Sequence, residues 1–483
     1  VAYKLNSSLF PAYRAFVTEH LSYSIFAPVL ATLARGLHGS LLGALLLAEI
    51  SSLLLTFYSA NQLLRRITAS RSAQLCGLLL LAAWWTLPIA GTSLLMMDPY
   101  VTARSFTTPL SLLAIALALD DWATRRPALL CVGALLLAFL FHPLMSGYAI
   151  GFVILLRLLR SRYAAAWLVG FSLAAFAVAG VIAALARPES PAVVAAALSR
   201  YYWFLSRWQW YELAGIIGPL VVLGLFLFAA QRQHNQFQNS RSQTRLLHAA
   251  IFYGLLAIAI ELAFAHANAT NHAVARMQPL RVFLLLYLLM TLELGAALPS
   301  GARWLMQHLP GHRTAATHRL VSSIVMALVL GTMAAAMFAA QRASFARSPQ
   351  VELPGIHIGP HNPWVEAFLW ARAHTPTDAV FALDTRYVNE DGEDAQTFRA
   401  WALRSALPDY SKDGGEAAIT PRLADLWLAA ATAQQHLSQE TDAVRDAKIL
   451  PLGATWMIVH TSAVTQHPCP YVNDVVKVCR LRP

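Results

Sequence analysis

AAAWLVGFSLAAFAVAGVIAALA, residues 164–186, holds 23 consecutive residues without one charged side chain. At about 1.5 Å of rise per residue, a helix of that length reaches roughly 34 Å, enough to cross the hydrocarbon core of a bilayer. Blocks of the same kind recur at Leu41–Leu55, Leu75–Leu87 and Val321–Ala340. The whole composition agrees with them. Of 483 residues, 57% are hydrophobic and 13% are charged, and the mean hydropathy is +0.51. Soluble domains carry about 25% charged residues, so lipid is the expected solvent for most of this chain.

Working outward by hydropathy gives about ten spans. They are expected near Leu41–Leu64, Ala73–Leu95, Thr107–Trp122, Ala128–Phe141, Leu144–Leu159, Ala164–Ala186, Leu213–Ala230, Leu246–Ala267, Pro279–Leu298 and Arg319–Ala340. Alternate loops differ in basic charge: one set carries 14 Lys and Arg, the other 6. Basic loops are retained in the cytoplasm, so the first set is expected inside and the chain after Ala340 outside. His142-Pro143 divides two short apolar runs. Joining them into one span would erase the charge bias, so a broken hairpin turning near the outer face is expected there. Non-helical backbone at membrane depth needs protein or a water-filled cavity to satisfy it.

The chain is expected to divide into an outer or interfacial segment (1–40), a transmembrane helical domain (41–340) and a soluble α/β domain (350–483) outside the cytoplasm. It starts at Val1 with no signal, and a preceding span is expected to be missing. From Gln350 onward, 16 acids and 11 bases give −5, against +16 for the rest. In the tail we expect helices at Pro363–His374 and Pro421–Gln435, and strands at Ala379–Leu383, Thr455–His460 and Val475–Arg480. Cys76 and Cys131 read as packing residues, whereas Cys469 and Cys479 either pair in an oxidising compartment or stay free.

The scattered short Arg groups exclude a nucleic-acid surface, which needs its bases clustered. The tail holds no phosphate loop, HExxH or nucleophile elbow. His361, His374, His436, His460 and His467 lack metal-ligand spacing.

Chemistry is expected where polar residues border the outer ends of spans. Asp98 offers a general base, or a carboxylate for a divalent metal, and Arg104 can clamp an anion. Alternatively, the two simply pair and cap helix ends. His142 sits at the expected break, as a site residue or as a hydrogen-bonded turn histidine. Arg276, Gln278 and Arg281 enter a span from outside, against the charge bias. A phosphate on a lipid carrier would reward the two arginines, and snorkelling to headgroups is the plainer account. Glu49, Glu261 and Glu293 lie inside apolar runs, which suggests proton coupling or pairing with an arginine. Tyr201–Glu212 reads as an interfacial aromatic belt, or as a platform for stacking on sugars.

With these segments in view, the chain resembles GT-C type membrane glycosyltransferases, and more closely bacterial multi-spanning proteins related to them. The resemblance rests on DPYVTARSFTTPLSLL (98–113), FHPLM (141–145), FLSRWQWYE (204–212), QPLR (278–281) and WVEAFLWARAHTPTDAVFALD (364–384). It implies transfer of a sugar from a polyprenyl-phosphate carrier on the extracytoplasmic face of a bacterial inner membrane. The key acid of such enzymes follows their first span, which is expected to be missing here; Asp98 would match a further carboxylate in the second outer loop. Transport of a lipid-linked or small polar substrate, and non-enzymatic scaffolding, are the competing expectations. The transferase reading requires Asp98, Arg104, His142, Arg276 and Arg281 to converge on one outward-facing cavity.

Overall fold

The computed structural model describes residues 1–232, 238–308, 315–344, 362–384, 387 and 398–481. His361 and the expected boundary at Gln350 lie outside them. Most described residues are helical, and six helices among them are long and apolar enough to cross a membrane: Leu41–Ile67, Ala164–Leu185, Trp210–Arg232, Arg241–Phe264, Ala273–Leu305 and Leu320–Ala343.

What these helices bury identifies their solvent. Along Ala164–Leu185 the one buried side chain is Ala179, while Leu173 and Leu185 are 67% and 78% exposed. An apolar surface of this extent is not maintained against water, and lipid accounts for it. At the other extreme, the helix Phe283–His308 runs through the core, with Phe283, Leu286, Leu288 and Leu292 fully buried. It meets the helix Arg71–Ala83 through small residues. A Cβ on Gly295 would lie 2.6 Å from the carbonyl oxygen of Cys76 and from the Cα of Gly77. Such backbone proximity is how membrane helices pack where apolar side chains gain nothing by leaving lipid.

Two breaks shape one end of this region. The first is the expected one. The helix Arg125–Phe141 ends, His142 is extended, and the helix Pro143–Leu158 begins with proline in its first turn. Ser146 Oγ donates to Leu135 O at 3.1 Å. Eleven residues of continuous helix would separate those positions by about 16 Å, so the chain doubles back as a hairpin. The second break lies at Gln278, whose φ of +53° is left-handed, between the short helix Ala273–Met277 and the turn Pro279–Val282.

One expected span is corrected. Ala73–Leu95 is not a single helix, because the helix stops at Ala83. Pro88 disfavours helical backbone at the residue before it and supplies no N–H. The following chain is a buried loop in which Ile89 N donates to Leu94 O, Met96 N to Leu87 O and Met97 N to Trp85 O. Ile89, Leu94, Met96 and Met97 are all buried, so protein rather than lipid surrounds this irregular backbone.

The tail has a five-stranded sheet in the order β2-β1-β3-β5-β4: β1 Val380–Leu383, β2 Ser405–Ala406, β3 Trp456–His460, β4 Tyr471–Val472 and β5 Val476–Arg480. β1 runs parallel to β2 and β3, whereas β5 is antiparallel to β3 and β4. Successive side chains serve opposite faces. Phe381, Trp456 and Ile458 pack with Trp364, Phe368 and Ala371 of the helix Pro363–His374. Val380, Ala382, Met457 and Val459 pack with Ala430, Leu437 and Ile449 on the other side. A sheet covered on both faces explains why these strands read as continuous apolar runs. Cys469 and Cys479 form a disulfide. Cys76 and Cys131 are buried and free.

The tail docks on the membrane-facing part through a third apolar cluster, where Phe16, Ala196, Trp203 and Phe204 meet Ala417, Leu423 and Trp427. Arg200 fastens this contact, donating to Ser411 O at 2.6 Å and to Tyr410 O at 2.9 Å.

Candidate functional site

Of the six residues singled out from the sequence, five (Asp98, Arg104, His142, Gln278 and Arg281) lie at the same end of the helices, around two separate crevices. Asp98 ends the buried loop just before the helix Ala103–Ala118. Thr102 caps that helix, accepting from Arg104 N at 3.2 Å, and Ser105 Oγ accepts from Thr102 N at 3.0 Å. Arg104 is therefore placed one turn above Asp98 and meets it bidentately, Nη2 to Oδ1 at 2.7 Å and Nε to Oδ2 at 3.1 Å. Thr102 Oγ1 adds a third hydrogen bond to Oδ2 at 2.6 Å. His142, at the hairpin turn, accepts weakly from Met145 N at 3.5 Å. It lies within electrostatic reach of Asp98, Arg104 and Arg281.

Arg281 is the unusual member. Its guanidinium stands 5.8 Å above the Tyr202 ring, and it has no carboxylate or hydrogen-bond partner among the described residues. The crevice it lines also holds Trp203, Glu261 and Gln278. Trp203 Nε1, Glu261 Oε1, Gln278 Oε1 and Arg281 Nε are all buried without a partner. Two donors and two acceptors left open in one place form a site built for something polar, since each orphaned buried group costs about 1–3 kcal/mol.

Arg276 does not join this group. Glu189 accepts from Arg276 Nη2 at 2.8 Å and from His272 Nδ1 at 2.7 Å, while Arg276 Nε donates to Ala418 O in the tail at 2.7 Å. Burial alone would raise the Glu189 carboxyl, but the hydrogen bonds from His272 and Arg276 outweigh it and hold it at about 2. The site residues also do not share one cavity, so the single convergence of Asp98, Arg104, His142, Arg276 and Arg281 expected from the sequence is corrected. Asp98 and Arg104 line one crevice of about 10 Å³, and Gln278 and Arg281 line a second of similar size.

Next to the second crevice runs an apolar groove of about 440 Å³, lined by Gly147, Tyr148, Phe171, Met277, Pro279 and Val282. Tyr148 separates the two, its hydroxyl donating to Gln278 O at 2.9 Å. The chain from Met277 to Val282 thus serves both, with Met277, Pro279 and Val282 on the apolar groove and Gln278, Leu280 and Arg281 on the polar crevice.

The sequence marks Glu261 as an intramembrane acid but carries no signal that places it beside Arg281. The aromatic stretch, which reads as a belt, is divided by the structure. Tyr201, Trp210 and Tyr211 are exposed as a belt requires, whereas Trp203, Phe204 and Trp208 are buried. None of Glu49, Glu261 and Glu293 forms an ion pair among the described residues. Glu293 accepts from Gln243 Nε2 at 2.7 Å. A metal at Asp98 does not fit: its oxygens already serve Arg104 and Thr102, and the described residues contain no group of three His, Cys, Asp or Glu placed to hold an ion.

Compared with known proteins, the chain matches no family model and no curated protein.

Proposed function

We propose that this chain is a membrane glycosyltransferase that takes a sugar from a polyprenyl-phosphate carrier on the extracytoplasmic face of a bacterial inner membrane. Arg281 carries the proposal. A guanidinium held among buried groups with no ion pair to a carboxylate among the described residues is costly. The crevice admits about one water as it stands. On opening, it would let a phosphate supply the missing charge in the planar, bidentate geometry that arginine favours. The adjacent apolar groove gives the carrier its second requirement, a lipid-facing channel for an isoprenoid chain. Headgroup and chain would then lie on opposite sides of the Met277–Val282 segment.

In this reading Arg104 supplies further positive potential and Asp98 holds it in place. Asp98 already accepts three hydrogen bonds and is poorly disposed to receive a proton. Glu261, with an open oxygen in the Arg281 crevice, is the better-placed base. An acceptor hydroxyl attacks the anomeric carbon as the bond to the carrier phosphate breaks. The proton passes to Glu261, and the electron pair leaves on the phosphate held by Arg281. About ten membrane crossings complete the proposal, the six long helices being joined by shorter ones such as Ala103–Ala118 and Pro143–Leu158.

The test is native mass spectrometry of the detergent-purified protein with added polyprenyl phosphate. Wild type should retain the lipid, Arg281→Ala should lose at least tenfold in affinity, and Arg276→Ala should retain it. Equal retention of ordinary phospholipid by all three, with no preference for polyprenyl phosphate, would overturn the reading in favour of transport or scaffolding.

A further inference from the structure

A cleft of about 260 Å³ opens in the tail at the carboxyl ends of the parallel strands β1 and β2. β1 runs into Asp384 at its edge, and β2 leads through Leu407 to Asp409. Ligands of open α/β sheets settle beyond the carboxyl ends of the strands. The opposite wall comes from the far end of the chain, with Phe16, Val17 and His20. That segment is tied down by Ala12 N donating to Ser405 Oγ at 3.2 Å and by the Tyr13 hydroxyl donating to Leu452 O at 2.7 Å.

The lining mixes hydrogen-bonding senses. Arg399 Nη1 donates to both oxygens of Asp413 at 2.8 Å, which closes one ion pair in the floor, and Arg399 Nε stays buried and unpartnered. Asp409 Oδ1 accepts from Lys412 N at 2.6 Å. Its second oxygen and the Lys412 ammonium take no partner among the described residues. Apolar surface from Phe16, Val17, Phe398 and Leu407 fills the space between. Two open donors and one open acceptor beside an apolar wall suit a molecule whose hydroxyls both donate and accept and whose C–H face is apolar. At about 30 Å³ per liquid water, the volume holds roughly nine waters, the scale of one sugar ring.

We propose that this cleft is a saccharide-binding site. The helix Lys412–Ile419 connects it to the membrane: Asp413 and Glu416 on that helix line the cleft, and its Ala418 O receives Arg276 Nε. Two residues after Arg276 comes Gln278, in the crevice with Arg281. A saccharide in the cleft thus lies one helix away from the proposed carrier site, so it would be the distal part of a longer acceptor glycan whose end reaches that site. Its role as acceptor rests on the glycosyl-transfer reading, whereas its binding does not.

The experiment is saturation-transfer-difference NMR on the full-length protein in lipid nanodiscs, with methyl α-D-glucoside, D-mannose and N-acetyl-D-glucosamine as probes. At least one should give a saturable signal. The signal should fall at least fivefold in the double variant Asp384→Asn/Asp409→Asn, whose introduced amide oxygen can still accept from the helix N-terminus. It should fall as far in Val17→Trp, which fills the cleft, and persist in Arg281→Ala. Absence of signal from all three probes, or a signal unchanged in both cleft variants, overturns the proposal. Saccharide binding without retention of polyprenyl phosphate would leave this site standing and remove the carrier reading alone.

Discussion

Arg276 and Arg281 stand five residues apart in one segment and have opposite environments. Both stand at the same end of one apolar helix long enough to cross a membrane, and the sequence around them offers no means of telling them apart. The distinction comes from Glu189, 87 positions before Arg276 in the chain, which claims Arg276 and leaves Arg281 open. That partner is a product of tertiary folding, so the candidate segment is legible in the sequence while its division into anchor and site is not. The anchor has a pH signature. A carboxyl held at about 2 when folded, against 4.5 unfolded, contributes stability that is complete above pH 4.5 and disappears as pH falls toward 2. Glu189→Gln should therefore cost on the order of 2 kcal/mol at pH 7, as expected for breaking a mostly buried pair that Arg276 leaves partly wet. The gap in thermal midpoint between wild type and variant should close between pH 4.5 and pH 2. A gap of constant size down to pH 3 would show that Glu189 acts through packing rather than charge.

At the scale of elements, the sequence speaks most clearly where local signals and burial agree. The helix Pro363–His374 begins where Asn362 accepts from Val365 N and proline occupies the first turn. The strands around Phe381 and Met457 fall within a residue or two of their expected limits. The region Trp84–Leu95 is misread because apolar composition is the same for a helix in lipid and a loop buried in protein. Only the backbone partners of Ile89, Met96 and Met97 separate the two cases. Helix contacts depend equally on information that composition conceals. Gly295 looks like any glycine in an apolar run, yet a Cβ there meets backbone atoms of Cys76 and Gly77, which cannot turn aside as a side chain would. Gly295→Ala should separate the two helices and destabilise the protein by about 1–3 kcal/mol. A control at Gly170, where a Cβ meets nothing within 4 Å, should be neutral or slightly stabilising in the same unfolding assay. Equal effects at both positions would remove the close-crossing argument.

For the whole molecule, the decisive question is which side of the membrane the tail occupies, because carrier site, cleft and disulfide all depend on it. Two independent lines favour the outside. Basic residues accumulate in the alternate loops that the tail does not adjoin. The tail also holds the Cys469–Cys479 disulfide, which persists in oxidising compartments and not in a reducing cytoplasm. Arg200 and Arg276 then lock that tail onto the outer ends of the helices through Tyr410, Ser411 and Ala418, so the tail's side is also the side of Arg281. Single-cysteine labelling decides the matter, since Cys76 and Cys131 are buried and the other pair is bonded. In intact cells a membrane-impermeant maleimide should label Ser462→Cys in the tail. Thr124→Cys, in a loop of the basic set, should label only after permeabilisation. The reverse pattern would place Arg281 at the cytoplasmic face and end the case for an extracytoplasmic transferase, and the disulfide would then be expected to be reduced in the cell. Labelling of both positions in intact cells would mean that the chain does not separate them across a bilayer, and the membrane topology itself would have to be redrawn.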